Sequence, residues 1–242
     1  MASLYLPKVD QGSVVLLGSF NPAIFQPRWF GSVGAFTQAE VKLFEGAGEL
    51  KHDDLIITPD VAQLRLSGRF VVVAIREQIT IIDHNPPFNW LRDFVECTFS
   101  ALPHTPVRAA GINRELHFSI ENPRAWFKIG DTLVPKGAWE FFFRGRLKTD
   151  EKRGGLTSVT MRQGREDDAW PGYMDLRVFA ADLASRTLGI STNDHFDLTH
   201  RTNGPSSTNP AVALVQECMQ RSTQESERLI NDVMKLAKEC EQ

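Results

Sequence analysis

The chain has 242 residues, 42% of them hydrophobic and 24% charged, with a formal net charge of -3. That balance belongs to a folded globular protein and excludes disordered, collagen-like and disulfide-scaffold classes. A sequence pI of about 6.1 gives no support to a protein that coats DNA.

Ser13 to Leu17 is a short apolar run closed by Gly18 and predicts a first strand. The segment from Asn21 to Phe36 is rich in aromatics, Gly and Pro, and Pro27 follows too soon after Pro22 for one helix, so one or two short turns are expected. A helix follows at Thr37 to Phe44. Strands are predicted at Leu55 to Thr58 and Ala62 to Leu66, and a hairpin turn at Ser67-Gly68-Arg69 leads into Phe70 to Ile82. Phe70 to Ile75 is apolar on both faces, whereas Ile79 and Ile81 alternate with Gln78 and Thr80. Phe88, Leu91, Val95 and Leu102 fall at helical spacing, and Pro103 ends that helix. Val107 to Ile120 is a long strand. This strand and helix order is the ferredoxin-like one.

Asn122-Pro123 caps a short helix through about Ile129. Further strands are predicted at Trp139 to Leu147, Leu156 to Arg162, Tyr173 to Ala180 and Leu188 to Leu198. Trp139, Phe141 and Phe143 share one phase of the first of these and are expected in the core with Leu147. Arg201 to Asn209 has linker composition, and no proline or glycine interrupts the chain after Pro210. The expected organisation is a ferredoxin-like unit at 1–121 and a second sheet-rich unit at 122–200, separate or continuous with the first. A linker at 201–209 and an amphipathic helix at 210–242 complete it. The class is α+β, with an antiparallel or mixed sheet in two ferredoxin-like units or one extended sheet.

A helix from Pro210 to Cys240 has 31 residues and a length of about 46 Å. Val215, Met219, Ser222, Ser226, Leu229, Val233, Leu236 and Cys240 alternate at spacings of four and three, a heptad seam with two serines at its middle. Leu214, Ile230, Met234 and Ala237 widen the stripe, as in a helix laid across its own body. A small body is too narrow to cover the whole helix. Val215, Met219, Leu229, Val233 and Leu236 are therefore the expected contacts with a second copy or another protein, with the distal turns projecting.

Three groups of residues carry candidate chemistry. On Val107 to Ile120, Arg114 shares the phase of the apolar residues, so it needs a carboxylate or a water-filled opening, unless a bulge or an edge position relieves it. Asn113, Glu115 and His117 share the opposite face, where His and Glu can exchange protons or bind a polar ligand. In the second group, His195 and Asp197 share one face of an extended Asp194 to His200, with Asp175 or Asp182 as the further ligand a metal would require. No metal site is predicted, because a solvated strand end explains the same row. The third group is basic: Arg144, Arg146 and Lys148 alternate on one strand face, a pattern that can track phosphates. Their phase is opposite to that of the aromatics, which disfavours nucleic acid. Trp29 and Trp170, beside Pro or Gly in irregular segments, are the tryptophans to examine as partner anchors.

No nucleotide-binding glycine loop, nucleophile elbow or zinc-ligand spacing occurs, and no cofactor is implied. Cys97, Cys218 and Cys240 are an odd number at unrelated spacings, which favours a reducing compartment. With neither a signal-peptide pattern nor a membrane-spanning run, a cytoplasmic location is expected. The expected function is that of a non-catalytic binding or assembly protein, self-associating through its last helix. The alternatives are a small-molecule enzyme around Arg114, Glu115 and His117, and nucleic-acid binding through Arg144 to Lys148.

Overall fold

In the computed structural model, residues 6–46, 54–143, 155–165, 169–200 and 208–238 are described. Among them nine strands form one antiparallel sheet: β1 (Pro7–Gly18), β2 (Leu55–Ile57), β3 (Val61–Leu66), β4 (Phe70–Ile75), β5 (Gln78–Asp83), β6 (Val107–Ser119), β7 (Ser158–Arg165), β8 (Gly172–Asp182) and β9 (Thr187–Asp197). Their spatial order is β2-β3-β4-β5-β1-β6-β9-β8-β7. The two predicted sheet-rich units thus lie in a single sheet, joined where β6 pairs with β9 from Ala109↔Asp197 to Ser119↔Thr187.

Among the described residues six α-helices accompany the strands: α1 (Pro27–Ser32), α2 (Gln38–Glu45), α3 (Asn89–Ser100), α4 (Pro123–Leu133), α5 (Gly137–Phe143) and α6 (Pro210–Lys238). The two early prolines each open a separate turn. Pro22 starts a 3-10 turn capped by the Asn21 side chain, and Pro27 starts α1, where a missing N–H costs nothing. The α2 helix begins with a capping box in which Thr37 and Glu40 satisfy each other's backbone N–H groups. The predicted run Phe70 to Ile82 is two strands, β4 and β5, paired as a hairpin.

Strand alternation puts one set of side chains under the helices. Val14, Leu16, Leu64, Val72, Ile81, Ile112 and Phe196 belong to a core that also takes Phe30 and Phe36, Phe94 and Phe99 of α3, and Val215 and Met219 of α6. A second core joins Leu116, Phe118, Ile190 and Val178 to Ile129 of α4 and to Ile230, Val233, Met234 and Ala237 of α6. α6 runs over both. It packs on α3, β6, β9 and α4, and its Asn209 cap ties it to the α3–β6 turn by donating to the carbonyls of Leu102 and Thr105.

Two expectations need correction. α6 lies along β6 and β9. The 13 residues of β6 span about 44 Å, the length of the 29-residue helix at about 1.5 Å per residue, so the body is not too small for α6. Val215, Met219 and Val233 are buried in the chain's own cores, and Leu229 and Leu236 are half-buried. The helix's distal turns do not project beyond the sheet.

The second correction concerns Trp139 to Leu147. Gly137–Phe143 is helical, Trp139 is 45% exposed and Phe141 is 84% exposed. Aromatic strand preference is a preference for a half-buried pleated surface, and among the described residues this segment pairs with no strand of the sheet. The Phe143 side chain, Leu147 and the basic residues Arg144, Arg146 and Lys148 lie outside the described residues. The candidate anchor Trp170 is buried, edge-on to Phe196, and its indole donates to Glu217 on α6 at 2.8 Å. Trp29 is half-buried against Phe25 and Phe30.

Candidate functional site

Helices α1 to α4 and α6 pack on one face of the sheet, and the other face carries the second phase of the strands. A single rung crosses that face through Val71, Ile82, Ser13, Asn113, Asn193, Asp175 and Arg162, each the Cα partner of the next. The rung shows a division. On β4, β5 and β1 the uncovered face is mainly aliphatic, with half-buried Val71, Val73, Ile82, Val15 and Leu17. On β6 to β7 it is polar.

Of the predicted site residues, the polar half holds Asn113, Glu115, His117, His195 and Asp197. Asn113 donates to Ser13 at 3.2 Å, and His117 Nε2 lies 2.8 Å from Glu115 Oε1. Gln11, Ser13, Asn113, Glu115, Ser191 and Asn193 line a hollow of about 240 Å³. Across the strands, His195 stacks on Tyr173 with ring centroids 4.5 Å apart, and the Arg162 guanidinium lies 3.6 Å from the Tyr173 centroid. Burial holds the His195 imidazole below its usual pKa, so it is neutral at pH 7. Arg162 is paired with Asp175 at 2.8 and 2.9 Å.

Asp197 accepts hydrogen bonds from the Thr199 hydroxyl and amide, which lower its carboxyl pKa. Asp197 therefore ends the strand in a side-chain turn, and Asp175 holds Arg162. Among the described residues no cluster of three metal-ligating side chains forms.

Arg114 is on the other face, beneath α6. The expected bulge or edge is absent at this residue, since β6 keeps continuous register there with both β1 and β9. Its charge is met by carboxylates, as burial requires: Asp10 at 3.1 and 3.3 Å and Glu227 of α6 at 2.7 Å. The guanidinium also lies 5.2 Å from the centroid of the Phe88 ring. A Cβ at Gly12 would stand 2.8 Å from that ring, so glycine is what lets Phe88 lie on the sheet. Arg114 thus does not converge with Glu115 and His117, whose side chains point to the uncovered face.

The same layer continues under α6. Thr192 donates to Ser226 at 2.8 Å, and the buried Asp194 is paired with Arg165. This polar belt crosses the sheet between the two apolar cores and occupies the place of the two serines in the heptad seam. Asp10, Glu227 and Asp194 were not singled out from sequence. Asp194 was detectable, because it shares its phase with Phe196 and Leu198 and so had to face the core. Glu227 carried no such signal.

No protein-family model matches this sequence, and a search of curated proteins returns no match.

Proposed function

We propose that this is a non-catalytic binding or assembly protein that acts through protein–protein contacts, self-associating through the uncovered face of its sheet. The observation that carries the reading is the aliphatic half of that face, where Val15, Leu17, Val71, Val73 and Ile82 stand without a covering helix among the described residues. Contiguous apolar surface of this kind is commonly an association site, and a two-fold pairing would bury it on both copies at once. Two serines on the α6 seam, and the burial of Val215, Met219 and Val233, favour the sheet over the helix as the contact.

The spatial order β6-β1-β5-β4 supports a ferredoxin-like unit with β2 and β3 added at its edge. The free Cys97 thiol supports a reducing, cytoplasmic setting.

Sedimentation or light scattering at micromolar concentration tests the proposal. A dimer mass is expected, and Val73→Lys with Ile82→Lys should convert it to monomer. A monomer mass for the unmodified protein rejects self-association, and a dimer indifferent to both substitutions rejects this face. A small-molecule enzyme is the second reading, favoured by the Glu115–His117 pair beside its polar hollow. It requires a ligand whose binding is lost in His117→Ala.

A further inference from the structure

The hollow of about 240 Å³ on the uncovered face has a floor drawn from three adjacent strands. Gln11 and Ser13 come from β1, Asn113 and Glu115 from β6, and Ser191 and Asn193 from β9, all half-buried. Period-two alternation brings them to one face. Asn113 donates to Ser13, whereas the side chains of Gln11, Ser191 and Asn193 hydrogen-bond no other group among the described residues. Arg114 and Thr192 also border the hollow, but their side chains are engaged beneath α6.

Rings close this floor at both ends. At one end His117 stands edge-on to Phe179 with centroids 5.8 Å apart, and at the other Tyr173 stacks on His195. Along β9 the two ends, Gly189 and His195, are six residues and about 20 Å apart. A Cβ at Gly189 would overlap the Phe179 ring, and one at Gly111 would stand 2.9 Å from the Asn193 carbonyl oxygen. Glycine at both positions therefore lets the ring and the amide lie over the strands.

The kind of ligand follows from the hydrogen-bonding types on the floor. Apart from Glu115, which His117 engages at 2.8 Å, each floor side chain is an amide or a hydroxyl, and so both donor and acceptor. An anion only accepts and would leave the amide oxygens unmatched. A cation only donates and would leave the amide NH2 groups unmatched. An extended peptide presents its polar groups along a line, whereas these are spread over strands about 4.8 Å apart. A molecule carrying several hydroxyls in two dimensions matches both the types and the spread.

We propose that this hollow binds a neutral saccharide, its hydroxyls held by the amides of Gln11, Asn113 and Asn193 and the hydroxyls of Ser13 and Ser191. The proposal rests on the hollow being the ligand site of the second reading above, and it requires neither a reaction there nor self-association.

Titration calorimetry at millimolar concentration with cellotriose, maltotriose and triacetylchitotriose, and with triglycine as a neutral peptide, tests it. Saturable binding of at least one saccharide is expected. Asn193→Ala and Gln11→Ala should each weaken it severalfold or more. Both should leave the melting temperature unchanged, because neither amide hydrogen-bonds another group among the described residues. Heats at the level of dilution for all three saccharides overturn the proposal, as does binding of triglycine alone. Saccharide binding unaffected by both substitutions also overturns it, because the sugar is then bound elsewhere. Saccharide binding that survives His117→Ala but not Asn193→Ala upholds the proposal and rejects the enzyme reading. A different ligand lost in His117→Ala, with no saccharide bound, does the reverse.

Discussion

Arg114 and Glu227 stand 113 residues apart in sequence and meet at 2.7 Å, a guanidinium of the central strand β6 held by a carboxylate of α6. With Asp10 on the neighbouring β1, the pair fixes the middle of the helix over the middle of the sheet. The Arg114 side chain is 12% exposed, Asp10 20% and Glu227 54%. Replacing Arg114 by Leu leaves two carboxylates that still reach water, and is expected to cost about 1–3 kcal/mol. Glu227→Gln should cost less than about 1 kcal/mol, because Asp10 remains and the lost partner is largely solvated. Urea unfolding of the two variants measures the difference, and equal costs would refute the asymmetry.

The serines of α6 have unlike surroundings and should respond in opposite ways. Ser226→Ala removes the acceptor of the Thr192 hydroxyl, with an expected loss of about 1–3 kcal/mol from the stranded donor. Ser222→Ala removes a hydroxyl that has no partner among the described residues and should leave thermal stability unchanged or slightly higher. Melting temperatures of the two variants decide between this ordering and a general serine effect.

Glu40 anchors the start of α2. Its carboxylate accepts from the Thr37 amide at 2.7 Å and hydroxyl at 2.9 Å, and it pairs with Arg69 on the β3–β4 turn at 2.8 Å, with only 4% of its side chain exposed. Glu40→Ala removes the reciprocal cap and should destabilise the protein by about 2 kcal/mol. Glu40→Gln retains an acceptor and should recover part of the loss. Hydrogen exchange at the α2 amides reports whether the damage is local to this helix.

His195 should make stability fall in mild acid. Its folded pKa lies below the ordinary 6.5, chiefly through burial, with the nearby Arg162 and Arg165 charges acting in the same direction. The unfolded chain therefore takes up a proton first as pH falls through about 6.5. The stability contributed by the neutral ring is present above that value and is lost as pH drops toward the folded pKa. His195→Gln should flatten the dependence of the urea midpoint on pH between 7 and 5. An unchanged slope would assign the acid sensitivity to other groups.

Local pattern carried a large part of this fold. Period-two alternation placed Ile79 and Ile81 on the buried side, and helical spacing with Pro103 located α3 to within a few residues. The same phase argument put Arg114 beneath the core face and Glu115 with His117 on the opposite one. It stopped at Trp139 to Phe143, where a strand-like run of aromatics is a helix. Alternation shows how a segment would present itself to a sheet, but it does not show whether a free sheet edge is available there.

Residue pattern alone led to the α+β class, the hairpins, the long C-terminal helix and the need for Arg114 to find a carboxylate, an opening to water, a bulge or an edge. These follow from residue spacing, turn chemistry and the cost of burying a charge, all of which act along short stretches of chain. It took the tertiary structure to show that β6 and β9 join the halves into one sheet, and that α6 lies along those two strands over its whole length. It also supplied Asp10 and Glu227 as the partners of Arg114, and placed Ser222 and Ser226 over a polar belt rather than in an intermolecular seam. Those outcomes depend on which distant strands pair and where a helix lands across them, and pairings between residues a hundred or more positions apart leave no periodic trace in a single sequence.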